Sequence, residues 1–367
     1  MSIFQDLIKS ADNKLTISGA ELPETQDFVD TGSYMLNALI SGSIFGGIPR
    51  NKVTGFAGEE ATGKTFYVLS CVKSWLDLSE NNFVICFESE NAVQDKLDLK
   101  NRGIDENRFQ IMPVNTIEEF SSQCLKVLHK YLSIKEKDRP GLMIILDSLG
   151  NLSTNKELAD LESQNDKVDF TKSKKIRACF RAITQPLGRA NIPFLLTNHI
   201  YATMDAYDFD GEMGGGGGMK YACSSIVWLK KKKEVDTQKN QIGNIVRCMM
   251  YKSRLTREKT KGETRILFEG GLDRYHGLFD IAVNAGIVTK PVDEDGKVKK
   301  SPFWVLPDGK MVYETRIKKE PEILYTPEVL TKIDEYVKIH YRYSSNEGLE
   351  LEHEDGDTEN SNIENNA

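Results

Sequence analysis

The stretch KVTGFAGEEATGKTFYVLSCVKSWLD (52–77) constrains this chain more than any other. It sets a β-type apolar run, a glycine-bounded loop and a helix-like run in immediate succession. Gly58, Glu59, Glu60, Ala61, Thr62, Gly63, Lys64 and Thr65 fit the spacing G-x-x-x-x-G-K-[ST], and Phe66 opens the helix-like run. Such a loop wraps phosphate because backbone N–H groups and the positive end of a helix dipole converge on one anion. Lys64 is expected to reach the β- and γ-phosphates of a nucleotide, and the Thr65 hydroxyl to bind Mg²⁺. A chain built around this unit needs a parallel sheet behind it.

The remaining sequence supplies one. Strand-like runs at 51–58, 82–89, 109–114, 141–148 and 192–198 alternate with helix-like stretches at 63–78, 91–102, 116–133 and 170–190. This alternation predicts an α/β fold: a mostly parallel twisted sheet with helices on both faces. Three later runs, 224–231, 244–253 and 264–270, are joined by short polar turns. They predict an antiparallel hairpin extension on one side. Residues 1–30 carry one short amphipathic helix, with Phe4, Leu7 and Ile8 at helical spacing. Residues 31–280 read as the core, 281–344 as a small α+β region ending in a helix at 327–343, and 345–367 as a disordered tail.

The net charge of −7 argues against a nucleic-acid partner until its placement is considered. Residues 345–367 hold Glu347, Glu350, Glu352, Glu354, Asp355, Asp357, Glu359 and Glu364, with no Lys or Arg. The body is therefore near neutral and can carry local basic patches. The tail is either a solubilising end or a polyanion that competes with DNA for basic surface. The six cysteines are widely spaced, form no CxxC pair and read as reduced core residues. There is no run of 18 apolar residues and no signal-peptide pattern, so neither membrane insertion nor export is expected.

A hydrolytic phosphate site needs a second carboxylate for the metal and a group that orients water. Asp147, closing the apolar run LMIILD, is the candidate metal carboxylate, and Ser148 follows it. Glu90, at the end of FVICFESE, is the candidate for water. Glu88 competes with it, because strand alternation puts both on one face. TNH (197–199) ends another strand and would set Asn198 and His199 beside the γ-phosphate if that strand neighbours the one bearing Asp147. A lone strand-end histidine is more often merely hydrogen-bonded. Here a long stretch without a convincing element follows, including five glycines, Gly214, Gly215, Gly216, Gly217 and Gly218. Such a loop inside a compact domain is functional or disordered. Lys174, Arg177 and Arg181 share a helical face that either tracks phosphate or meets water, and KKKK (230–233) reads as a solvated strand exit.

Several stretches together resemble the RecA-type recombinase core. They are DTGSYMLNALISGSIFGGIPRNKVTGFAGEEATGKT, FESENAV, IILDSLGNL, LLTNHIY with the glycine run, KSRLTREKTKG and FEGGLDRYHGLFDIAVNAGIV. The forms DSLGNLS, TNH and KSR, with the acidic tail, look most like the phage UvsX-like branch. The resemblance implies ATP held between adjacent protomers of a helical filament on DNA. Lys64, Thr65 and Asp147 would bind nucleotide and Mg²⁺, and Glu90 would activate water. His199 stands where the family has a γ-phosphate sensor, a glutamine in bacterial members, and the exchange would make DNA affinity pH-dependent. Lys252 and Arg254 would reach the neighbour's γ-phosphate in trans, as an arginine finger does. The glycine run and Lys220, with Lys174 and Arg177, would contact DNA, and the helix around Phe4 would dock on the adjacent protomer. Glu59 departs from the proline of bacterial members and Phe66 from a second threonine. The spacing from Glu90 to Gly103 is one residue long, so no base-stacking residue is assigned.

The resemblance therefore implies a DNA-dependent ATPase that pairs single-stranded DNA with homologous duplex and exchanges strands. Its partners would be both DNAs, copies of itself, a single-strand-binding protein and a recombination mediator, in the host cytoplasm if phage-encoded. A RecA-fold hexameric DNA helicase is the alternative, though a ring helicase usually has a helical domain where this chain has thirty residues. A small-molecule kinase would leave FESE and the hairpin extension without a role. The intact Lys64, Thr65, Glu90 and Asp147 set argues against a non-hydrolysing paralogue.

Overall fold

A computed structural model of the chain describes residues 3–10, 27–91, 96–163, 171–201, 209, 211–214 and 217–343. Two short strands, β1 (Phe28–Val29) and β2 (Ile48–Pro49), pair antiparallel around the buried helix Tyr34–Ser41. The large sheet contains β3 (Val53–Gly58), β4 (Asn82–Glu88), β5 (Phe109–Pro113), β6 (Gly141–Asp147), β7 (Phe194–Tyr201), β8 (Glu212–Met213), β9 (Ser225–Val235), β10 (Gln241–Lys252), β11 (Lys261–Leu267) and β12 (Gly271–Leu272). Across it the order is β12-β11-β10-β9-β3-β7-β6-β4-β5, with β8 paired to the end of β7. The strands from β9 to β5 are mutually parallel. Antiparallel β10, β11 and β12 extend the sheet on the β9 side, as the polar turns predict.

Alternation along the parallel strands feeds two cores. In β6, Met143 and Ile145 face one core while Leu142, Ile144 and Leu146 face the other. The first core is covered by the helices Tyr34–Ser41 and Lys64–Asp77, the second by Ile117–Ser133 and Lys172–Ala190. Strands buried on both faces read as continuous apolar runs, which is how they were visible in the sequence. Helix starts follow local chemistry: Thr116 and Thr154 accept from the N–H groups of Glu119 and Glu157, and Asn191 closes Lys172–Ala190 in the left-handed region.

The KKKK run departs from the expectation. Lys230–Lys233 lie within β9, not at its exit, because β10 pairs with β9 as far as Val235. All six cysteines are free and buried.

The C-terminal region adds the ribbon β13 (Phe303–Val305) and β14 (Met311–Tyr313) and the helices Glu314–Lys319 and Pro327–Tyr341. Its apolar residues Ile317, Leu324, Val329, Ile333 and Val337 join the same buried cluster as Leu36 and Leu39. Helix Leu278–Asn284 runs across the 280/281 division read from the sequence. Asp334, buried in helix Pro327–Tyr341, accepts from Ser43 Oγ at 2.6 Å and Ile44 N at 2.8 Å, fastening that helix to the core. At the seam with the extension, Arg265 pairs with Asp273 and with Glu234 at 3.5 Å, and Tyr275 stacks on Tyr325 at 5.2 Å. His276 lies beside them. Burial and the nearby Arg265 pull its imidazole down to about 4.

The helix expected in the first thirty residues spans Ile3–Ser10, with Ile3 and Leu7 exposed. The Phe4 side chain lies outside the described residues, as do Gly215, Gly216 and the acidic tail 345–367. Among the described residues no helix is long and apolar enough to cross a membrane.

Candidate nucleotide and DNA site

Sheet register gathers the polar residues at the C-terminal edge of the parallel strands, where open α/β sheets bind ligands. Gly58 lies opposite His199 across β3 and β7, and Glu88 opposite Asp147 across β4 and β6. The strand ending in TNH thus sits between the P-loop strand and the Asp147 strand.

The loop after β3 folds as its spacing requires. Gly63 takes φ +94° at the N-cap of the helix Lys64–Asp77, a conformation closed to most side chains. Thr62 Oγ donates to Glu59 O at 2.9 Å and closes the loop on itself. Glu59, Glu60 and Ala61 are exposed. Lys64 is buried, and its Nζ donates to Gly58 O at 3.2 Å and Glu59 O at 3.0 Å. Burial pulls its ammonium below the ordinary lysine value, opposed by the carboxylates of Glu90, Asp147 and Glu60. Phe66 turns aside from the loop and packs edge-on against Tyr67, with the Arg102 guanidinium 4.8 Å from its ring.

Asp147 accepts from Thr65 Oγ1 at 2.8 Å and from Thr197 Oγ1. Burial raises its carboxyl above the usual aspartate value, and these two hydroxyls hold it back. A threonine hydroxyl beside one carboxylate is a donor set suited to Mg²⁺, which takes one or two carboxylates and fills its shell with phosphate oxygens and water. The buried Lys64 ammonium and the helix N-terminus fit a polyphosphate.

Glu90 and Glu88 part company here. Glu88 is buried and accepts from Glu90 N at 3.2 Å. Glu90 reaches across: its Oε1 accepts from Ser148 Oγ and lies 2.5 Å from His199 Nε2. The other ring nitrogen of His199 stands 3.4 Å from Lys64 Nζ. Glu90, His199 and Lys64 therefore form one chain of contacts spanning β4, β7 and the P-loop.

From His199 the network runs into the glycine segment. Buried Asn198 donates from Nδ2 to Gly214 O at 2.9 Å and accepts from His199 N at 3.0 Å. Gly214 N donates to His199 O at 2.9 Å. Gly218 opens a short helix, Gly218–Ala222, rather than extending the loop. A Cβ there would meet Ile176 Cγ2 at 2.5 Å, so close packing on helix Lys172–Ala190 requires this glycine. Gly217 and Lys220 are exposed. Lys174, Arg177 and Arg181 are exposed on Lys172–Ala190, and the Arg177 guanidinium lies 5.4 Å from the ring of exposed Tyr221. The two regions expected to touch DNA thus converge at Arg177 and Tyr221.

Lys252 and Arg254 lie elsewhere. Lys252 pairs with Ile226, which is level with Gly55, so it sits about 10 Å back along the strands from Gly58. Its Nζ donates to Cys223 O at 2.8 Å and to Lys220 O, capping the end of Gly218–Ala222. Burial pulls this lysine down. Arg254 is exposed.

Sequence reasoning missed Thr197, although it is the first letter of TNH, and it missed Ser89, the middle of FESE. It also missed Tyr221, whose signal was an aromatic next to a lysine in MKY.

The family model of the RecA N-terminal domain matches residues 11–273. The chain is 29% identical over 287 residues to the recombination and repair protein of Enterobacteria phage T4, covering 78% of this chain and 71% of that protein. It is 24% identical to Protein RecA of Sulfurovum sp. (strain NBC37-1), over 71% of this chain and 72% of the other. It is also 24% identical to Protein RecA of Thermus aquaticus, over 74% and 76%. With a sheet edge built around a phosphate loop, and a family model that matches most of its length, this chain belongs to the RecA family.

Proposed function

We propose that this chain is an ATP-dependent DNA recombinase. It assembles as a helical filament on single-stranded DNA, pairs that strand with homologous duplex and exchanges strands. The observation that carries this reading is the bonded path from Glu90 and His199 through Asn198 to Gly214. It joins the phosphate edge to the glycine segment, so occupancy of one can bias the other. The similarity to proteins named for recombination and repair supports the same reading.

In this proposal the P-loop amides and Lys64 hold the triphosphate of ATP, and Thr65 and Asp147 hold Mg²⁺. Bound Mg²⁺ supplies positive charge against the phosphate oxygens. Glu90 takes a proton from the attacking water at its carboxylate. His199 holds Glu90 Oε1 and, by turning toward the γ-phosphate, frees that oxygen. Lys252 sits about 10 Å back along the strands from Gly58, which favours a role for it, and for Arg254 two residues on, toward a neighbour's phosphate rather than their own loop. Arg177, Lys174, Lys220, Tyr221 and the exposed Gly217 of the glycine run face DNA, through phosphate contact and stacking rather than base-specific bonds, while buried Gly214 and Gly218 set the segment's course. Helix Ile3–Ser10, with Leu7 exposed, docks on the next protomer. The residues from 31 up to helix Leu278–Asn284 are the ATPase and DNA-binding core, those from that helix to 344 a small appended region, and 345–367 an acidic tail. A single-strand-binding protein and a mediator assist loading, in the cytoplasm, which is the host's if the chain is phage-encoded.

The test is ATP hydrolysis with and without single-stranded DNA, with negative-stain images of the same samples. Strong DNA stimulation with helical filaments is expected. Closed rings would replace this reading with a helicase, which nothing observed favours, and indifference to DNA would sink both.

A further inference from the structure

The ladder between β4 and β6 ends at Glu88 and Asp147, one residue short of the groups that must meet. Ser89 carries the pairing onward. Its N–H donates to Asp147 O at 2.8 Å. Its hydroxyl then takes both ends of the next residue: it accepts from Ser148 N at 2.9 Å and donates to Ser148 O at 2.8 Å. Ser148 is fully buried, and Ser89 Oγ is the acceptor its N–H finds. On one side of this double clasp stands Glu90, the next residue along. On the other stands the Ser148 hydroxyl, which donates to Glu90 Oε1.

We propose that Ser89 is a positioning residue for ATP hydrolysis, fixing the carboxylate of Glu90 relative to the Asp147–Ser148 turn. This rests on the reading of Glu90 as the group that activates water. The hydrogen bonds of Ser89 run to the backbone of Asp147 and Ser148, and Ser148 passes its hydroxyl to Glu90, so Ser89 acts through its neighbours rather than on phosphate. A single serine hydroxyl has one donor and two acceptor sites, and here one of each is committed to the same backbone residue. An alanine at 89 would keep the backbone bond to Asp147 O and lose the clasp. The Ser148 turn and the FESE turn could then move independently, and small displacements of a catalytic group cost rate rather than binding.

The experiment is a double-mutant cycle on the full chain with single-stranded DNA, using single-turnover hydrolysis of labelled ATP. Ser89→Ala should lower kcat about tenfold with KM for ATP within about twofold of the parent. Thermal melting and nucleotide binding should match the parent. Ser89→Cys, which keeps the shape and weakens both bonds, should fall between the two. In a Glu90→Gln background, Ser89→Ala should cost nothing more, because the group it positions is gone. The proposal is overturned by a parent-like kcat in both Ser89 variants, by a change confined to KM, or by an equal loss in the Glu90→Gln background. The two readings separate cleanly. If Glu90→Gln alone keeps the rate, the role given to Glu90 falls; if Glu90→Gln loses it and Ser89→Ala does not, only the role of Ser89 falls.

Discussion

Two regions of the molecule bury charge, and they do so in different settings. At the phosphate edge, Lys64, Asp147, Glu90 and His199 stand in one connected set, with the lysine and aspartate both moved from their ordinary values by burial. At the seam between the extension and the C-terminal region, Arg265 is matched in place by Asp273 and Glu234, and His276 is kept neutral. Each set matches one cation with two carboxylates, Lys64 with Asp147 and Glu90 in the first and Arg265 with Asp273 and Glu234 in the second. They differ in place: the first gathers at the C-terminal edge of β3, β4, β6 and β7, where open α/β sheets bind ligands, and the second pairs within a seam between elements.

This contrast can be broken by experiment. The largest effect should come from Lys64→Ala, which should lower ATP hydrolysis by 10²-fold or more while leaving the melting temperature of the protein alone unchanged or higher. A large fall in melting temperature would make Lys64 a structural ion instead. Next is Arg254→Ala, expected to lower hydrolysis by about 10²-fold with nucleotide affinity retained. Filaments mixed from Arg254→Ala and Lys64→Ala subunits should recover part of the activity, because each supplies what the other lacks. No recovery in the mixture would count against a role in trans.

At the seam the prediction reverses, with stability moving and chemistry standing still. An unfolded histidine titrates near 6.5 and folded His276 at about 4. Between those values the unfolded chain binds the extra proton. The contribution of His276 is therefore whole above about pH 6.5 and is lost as pH falls toward 4, on the order of 2–3 kcal/mol. His276→Gln should flatten denaturant midpoints between pH 7 and pH 5 relative to the parent. An unchanged slope would show that His276 titrates freely. The smallest effect expected is from Gly218→Ala, at about 1–3 kcal/mol of overpacking against Ile176. Its sharper readout is weaker stimulation of hydrolysis by single-stranded DNA.

Much of this was legible in the chain itself. The parallel strands carry uninterrupted apolar runs, and Lys64, Thr65 and Asp147 follow from motif and strand position alone. Strand alternation could not separate Glu90 from Glu88, because what distinguishes their surroundings is contact with Ser148, just past β6, and with His199 on β7. Cross-strand contacts depend on the order β3-β7-β6-β4, and nothing local in the sequence encodes that order. The same limit hid Thr197 and Ser89. KKKK looked like an exit because four lysines carry no strand signal; pairing with β10 overrides that weak local preference. The glycine run read as one soft loop, yet its last member is fixed by Ile176, a neighbour supplied by a distant helix.

The strand order also bears on how the protein is made. β3 carries the phosphate loop near the start of the core, but both of its partners, β7 and β9, come from the segment after residue 193. During synthesis the earliest piece of the site therefore waits with two open edges while more than a hundred residues follow. Such non-local pairing is slow, and open edges invite aggregation. The phosphate edge closes only when β7 is inserted between β3 and β6, so nucleotide affinity reports completion of the fold. A ligand that binds only the closed edge will draw late intermediates forward by mass action. A nucleotide that binds this edge would favour the finished sheet as well as take part in the proposed chemistry.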